Sequence, residues 1–127
     1  MTIEEFEVIF GKTSHRLKLI SGLKLGMSEL KNCGCKRVFV DGSFTTNKEV
    51  PGDFDACWDI TGADLNKIQS EYPTLLDFFE DRKNQKAKYY GEFFPAQVKA
   101  DPYNLYIEFF QKDRDGNPKG IIQLDLI

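Results

Sequence analysis

Asp53-Phe54-Asp55 opens an apolar run, DFDACWDI, that reads as a strand. Side chains two apart in an extended chain project from one face, so Asp53 and Asp55 point together while Phe54 turns into packing. Their α-carbons lie roughly 7 Å apart, from a rise of about 3.3 Å per residue. Two carboxylates at that spacing repel each other unless a cation neutralises them. A divalent ion does this, and Mg²⁺ favours one or two carboxylates with phosphate oxygens completing its octahedron. Two such ions would clamp both the attacking and the leaving oxygen of a phosphoryl transfer. Upstream, Gly42-Ser43 ends the preceding apolar run. A glycine turn exposes backbone N–H groups and the serine hydroxyl adds a donor, which together suit a phosphate. Asp-x-Asp beside a Gly/Pro loop is also common in surface turns, so a purely structural reading, with Asp53 and Asp55 capping a turn, stands beside the metal reading.

The elements around this stretch follow from periodicity and punctuation. Residues 13–32 read as a helix capped by Thr13 or Ser14, with Leu17, Ile20, Leu23, Met27 and Leu30 at helical spacing. Gly22 and Gly26 weaken that helix by roughly 1 kcal/mol each relative to Ala, so packing must compensate. Gly34 ends it, RVFV at 37–40 is a short buried strand, and the Thr, Asn, Pro and Gly of 42–52 make a loop. GADLNKIQSEY reads as a helix with Leu65, Ile68 and Tyr72 on one side, and YPTLLDFFEDR as a second short one. An aromatic strand is expected around residues 87–94. Asp101-Pro102 is a cap and first-turn pair for a helix carrying Tyr103, Tyr106, Ile107 and Phe110, with a hairpin as the competing reading. DRDGNPKG is a turn and GIIQLDLI a last strand. The expectation is a single α+β domain over residues 1–127, a mixed β-sheet with helices packed on it.

Gly42-Ser43, a nine-residue spacer and Asp53-Phe54-Asp55 together resemble the signature of the polymerase-beta-like nucleotidyltransferase superfamily. The chain, down to DRDGNPKGIIQLDL, is further similar to a group of small uncharacterised bacterial nucleotidyltransferase-like proteins. The resemblance implies a palm-like nucleotidyltransferase fold. It implies that Asp53 and Asp55 bind catalytic Mg²⁺ or Mn²⁺, that Gly42 and Ser43 hold nucleotide phosphates, and that a third carboxylate on a later strand completes the site. Glu92 in YYGEFFPA is the nominee, with Glu108 and Asp125 behind it. The superfamily usually has Asp there, and an apolar residue where this chain has Asp41, which is expected to face solvent. Lys48, Lys119 and Arg114 are candidates for the phosphate tail. The implied reaction moves a nucleoside monophosphate from a nucleoside triphosphate to a hydroxyl acceptor, nucleic acid being one such acceptor, with release of pyrophosphate. The alternative is a catalytically weak or inactive relative used as a nucleotide- or protein-binding module, such as one half of a toxin–antitoxin or defence pair. With 127 residues, little is left for a second lobe, so a protein partner or a homodimer would complete the site.

The rest of the chain narrows the classes. A formal charge of −3 argues against a general nucleic-acid coat. Three cysteines, two of them in Cys33-Gly34-Cys35, fit a reducing cytoplasm better than a secreted disulfide scaffold. Cys33 and Cys35 are too few for a structural zinc site, and Cys57 reads as core. No signal peptide is expected, and no apolar run approaches the length needed to span a bilayer, so no membrane partner is expected. One histidine, His15, distant from any obvious nucleophile, argues against covalent hydrolase chemistry. Arg82, Lys83, Lys86 and Lys88 concentrate charge in DRKNQKAK, which reads first as a solvated loop and second as a phosphate grip.

Overall fold

The glycine-bearing helix and the short apolar strands of the sequence assemble into two layers. The computed structural model of the protein describes residues 1–41, 53–112 and 120–126. Helices α1 (Ile3–Phe10) and α2 (Ser14–Asn32) precede strand β1 (Arg37–Asp41) and strand β2 (Phe54–Trp58). Helix α3 (Leu65–Glu71), a 3-10 turn at Pro73–Leu76 and helix α4 (Phe79–Tyr89) lead to strand β3 (Gly91–Pro95). A one-turn helix α5 (Tyr106–Phe109) and strand β4 (Ile121–Asp125) follow. The four strands form one mixed sheet in the order β3-β2-β1-β4, with β1 antiparallel to β2 and β4, and β2 parallel to β3. This is an α+β architecture.

Alternation along the strands divides the sheet into two unlike faces. Val38, Val40, Phe54, Ala56, Trp58, Phe93 and Leu124 face α2 and bury with Ile20, Leu23 and Leu30 in the main core. The opposite face carries Cys57, Phe94 and, beyond β3, Ala96 in a smaller aromatic cluster closed by Phe110 and Tyr106. Packing does compensate for the helical glycines. A β-carbon on Gly26 would meet the Phe93 ring at 2.3 Å, so α2 needs a bare backbone to approach β3. Buried Glu29 of α2 accepts from the Tyr89 hydroxyl at 2.5 Å and pairs with Lys88 at 3.0 Å, which ties α2 to α4.

Four elements differ from the sequence expectation, the first being the short helix expected over YPTLLDFFEDR, which divides into the 3-10 turn at Pro73–Leu76 and α4. Helix α1 is additional to that expectation, and its start is a capping-box sequence, Thr2-Ile3-Glu4-Glu5. The Thr2 side chain accepts from the Glu5 N–H at 3.2 Å, and the Glu5 carboxylate accepts from the Thr2 N–H at 3.1 Å. Thr2→Ala is expected to cost about 1 kcal/mol of stability in urea unfolding, the usual worth of an N-cap. The strand expected at 87–94 runs from Gly91 to Pro95, because the basic stretch before it continues as helix through Tyr89. Tyr89 is drawn into the core against Phe93, and Tyr90 then ends the helix in a left-handed conformation. The helix expected from Asp101 shrinks to α5. The Asp101 carboxylate does accept from the Tyr103 and Asn104 N–H groups, both at 2.7 Å, but it caps a turn rather than a helix.

Among the described residues, no helix is long and apolar enough to cross a membrane.

Candidate active site

Four carboxylates meet at one end of the second sheet face. Asp41 ends β1, Asp55 is the second residue of β2, and Glu92 is the second residue of β3. Asp55 and Glu92 are register partners on adjacent parallel strands, so their side chains stand side by side. Asp53 precedes β2 by one residue and adds its charge to Asp55. Phe54 between them is buried in the main core, which holds both aspartates on the opposite side. The Asp41 side chain is buried, not solvent-facing as the sequence suggested. The cause is the antiparallel pairing of Val40 with Ala56, which brings Asp41 alongside the start of β2 and into the acidic group.

Burial makes this charge expensive. The Asp55 carboxyl is pushed up to about 8, first by burial, then by a hydrogen bond with Glu92 and by the charges of Glu92, Asp53 and Asp41. Asp53 is raised by burial and by Glu92, with Lys86 opposing. Burial, followed by the charges of Asp55 and Asp41, pushes the Cys57 thiol well above its usual range. The raised Asp55 carboxyl therefore keeps its proton and donates it toward Glu92. The cations lie on the other side of the pair, with Lys86 Nζ 3.1 Å and an Arg82 guanidinium nitrogen 3.4 Å from Glu92 Oε1.

Helix α4 is what brings those cations in. It lies along the open edge of β3, where buried Gln85 accepts from the Phe93 N–H at 2.8 Å and donates to the Leu75 carbonyl at 3.1 Å. That anchor satisfies an edge N–H and places Lys86, the next residue, at Glu92. Arg82 lies four residues earlier, in a left-handed stretch that interrupts helical geometry at the start of α4, and it reaches the same carboxylate. Its guanidinium lies 5.3 Å from the centroid of the Phe94 ring. Phe78 stacks on the same ring, with centroids 6.0 Å apart and planes 2° from parallel.

Of the residues singled out from sequence, the fold brings together Asp53, Asp55 and Glu92. Glu108 is elsewhere, accepting from the Leu105 N–H in α5, and Asp125 pairs with Arg37 in register and with the terminal ammonium at 3.3 Å. Gly42, Ser43, Lys48, Arg114 and Lys119 lie outside the described residues. Asp41, Arg82 and Lys86 are the members that sequence reasoning placed in solvent. A helical reading of DRKNQKAK would have found the segment that carries Lys86 but not the position of Arg82, whose backbone is left-handed.

The donor set is all oxygen, four carboxylates beside the two cations Arg82 and Lys86. That chemistry fits a hard divalent cation such as Mg²⁺ or Mn²⁺. Among the described residues no three acidic, histidine or cysteine side chains already converge as ligands on one point. The Glu92 carboxylate is turned instead to Lys86 and Arg82.

No curated protein and no solved structure matches the chain. The model of a family of unknown function, DUF6932, matches residues 1–125, and the protein belongs to that family.

Proposed function

We propose that this protein is a metal-dependent nucleotidyltransferase, with a palm-like fold, that transfers a nucleoside monophosphate from a nucleoside triphosphate to a hydroxyl acceptor and releases pyrophosphate. The observation that supports this reading is that Asp53, Asp55 and Glu92 stand at one end of one sheet face, where desolvation first, and then Glu92, Asp53 and Asp41, push Asp55 up to about 8. A pair that only capped a turn would have no reason to stand beside two further carboxylates, Asp41 and Glu92, that are buried.

In this reading Asp53 and Asp55 hold the divalent cation, with Glu92 as the third ligand. Bound there, Mg²⁺ or Mn²⁺ supplies neutralisation of phosphate charge during transfer. Asp55 gives up its proton as the site loads, so binding tightens as the pH rises toward 8. Gly42 and Ser43 hold the phosphates, with Lys48 and Lys119 as supporting cations. Glu92 accepts the proton of the acceptor hydroxyl. Catalysis is then positioning and electrostatics rather than covalent chemistry.

One observation favours a second reading. The Glu92 carboxylate is already paired with Lys86 and Arg82, an arrangement that suits a nucleotide- or protein-binding module with little turnover, such as half of a toxin–antitoxin or defence pair. A protein partner or a second copy of the chain would then cover the site.

Thermal melting with Mg²⁺ or Mn²⁺ and each of the four ribonucleoside triphosphates tests both. Wild type at 100 times the dissociation constant should gain about 2.7 kcal/mol, and Asp53→Ala/Asp55→Ala should gain nothing. Binding with pyrophosphate release selects the transferase, and binding without it selects the module. No metal–nucleotide response from wild type would sink the transferase and the nucleotide-binding module and leave the protein-binding one.

A further inference from the structure

We propose that Arg82 and Lys86 are cations that bind the phosphate groups of the substrate, and that Glu92 holds them in place until a divalent ion takes its carboxylate. This rests on the function proposed above and assigns a role to a helix face outside the Gly42-Ser43 turn.

Both side chains converge on one oxygen, Glu92 Oε1, at 3.1 and 3.4 Å. A divalent ion ligated by Glu92 would compete for that oxygen and repel both cations. They would stay within a few ångströms of the site, because Gln85 pins the helix to β3 and the Phe94 ring backs the guanidinium. Asp81 also pairs with both, at 2.9 Å from Arg82 and 3.5 Å from Lys86, and it is largely exposed. An exposed carboxylate competes weakly with a polyphosphate, which offers several charged oxygens to the same two donors.

The details of Arg82 agree. Its Nε is buried with no hydrogen-bond partner among the described residues, a donor left over in a fork built for bidentate oxygen ligands. The backbone that presents it is strained. Glu80, Asp81 and Arg82 have φ of 46°, 58° and 60°, a left-handed stretch of three residues other than glycine. Such conformations concentrate where a side chain must be aimed at a ligand.

Isothermal titration of wild type, Arg82→Gln, Lys86→Gln, Lys86→Arg and Asp55→Asn tests the proposal. The probes are Mn²⁺ alone and inorganic tripolyphosphate in excess Mn²⁺. Lys86 is two-fifths exposed, so its variants should fold regardless of the outcome. Arg82→Gln and Lys86→Gln are expected to weaken tripolyphosphate binding tenfold or more, while Mn²⁺ alone binds as tightly as to wild type or more tightly. Lys86→Arg should retain tripolyphosphate binding. Wild-type tripolyphosphate affinity in both glutamine variants would overturn the assignment. So would a tenfold loss of Mn²⁺ affinity in them, because the cations would then act only by bracing Glu92. Wild type that binds Mn²⁺ but not tripolyphosphate overturns it while leaving the metal site standing. Wild type indistinguishable from Asp55→Asn toward Mn²⁺ removes both readings together.

Discussion

Without divalent ions at pH 8, Asp55→Asn is expected to be more stable than wild type by about 2–5 kcal/mol. The sign follows from the raised carboxyl. An acid at 3.8 in the unfolded chain and about 8 in the folded one binds more protons when folded throughout that interval. Its contribution to stability is therefore fully present below about pH 4 and is lost as the pH rises through about 8. Each tenfold change in proton affinity is worth about 1.4 kcal/mol, and relaxation and partial hydration of the site keep the total below that full value. Asparagine keeps a donor for Glu92 and removes the charge. Urea unfolding from pH 5 to pH 8.5 would show the gap widen with pH. A constant gap, or a variant less stable than wild type at pH 8, would mean that the four acids are not crowded as described. Under the proposed function, Mg²⁺ or Mn²⁺ should narrow the gap by stabilising wild type alone.

The second large effect lies away from the acids. Gly22→Ala is expected to cost about 2–4 kcal/mol, although alanine raises helix propensity by about 1 kcal/mol. A β-carbon on Gly22 would sit 1.6 Å from the Tyr89 carbonyl oxygen, and a backbone atom cannot swing aside as a side chain can. Tyr89 is held by its hydrogen bond to Glu29 and by edge-on packing against Phe93, so α4 must retreat as a unit. Overpacking of this kind costs about 1–3 kcal/mol and sometimes more. Ser21→Ala, exposed on the same helix, is the control and should change stability little. Equal melting temperatures for Gly22→Ala and wild type would show that α2 and α4 do not approach this closely. Because α4 carries Arg82 and Lys86, the same retreat should loosen their grip on Glu92.

Local rules made much of the fold legible. Helix α2, its Thr13 cap, its end before Gly34 and the two strands around Asp53 depend on residues close in sequence, and each appears within a few residues of where periodicity puts it. The sequence placed α3 similarly, capped by Asp64. Helix α1 is signalled by the Thr2-x-x-Glu5 box, which lies at the very start of the chain and outside the longer periodic runs. The segment 87–110 is harder to read, because aromatic residues suit a strand, a helix end and a packed turn alike. Tyr89 closes a helix and Phe94 lies in a strand only five residues later. Helix α5 has one turn because Asp101 spends its carboxylate on the preceding turn.

By itself, the sequence determined that Asp53 and Asp55 share a side and that Phe54 opposes them, since a strand has a period of two wherever it lies. The resemblance nominated Glu92, Glu108 and Asp125 as further carboxylates for that side. Only the tertiary structure decided which of them lies beside Asp55. Glu92 stands beside Asp55 because β3 pairs parallel to β2 in that register, and such a pairing is set by α4 and the buried Phe93 rather than by neighbours in the chain. The same is true of Asp41, which looks solvated in sequence and is buried because β1 and β2 pair antiparallel. Arg82 and Lys86 look like a solvated basic run, and become partners of Glu92 only when Gln85 clamps their helix to the sheet edge. Charge type and face are local properties. Which charges meet is a long-range one, fixed by packing between segments far apart in the chain.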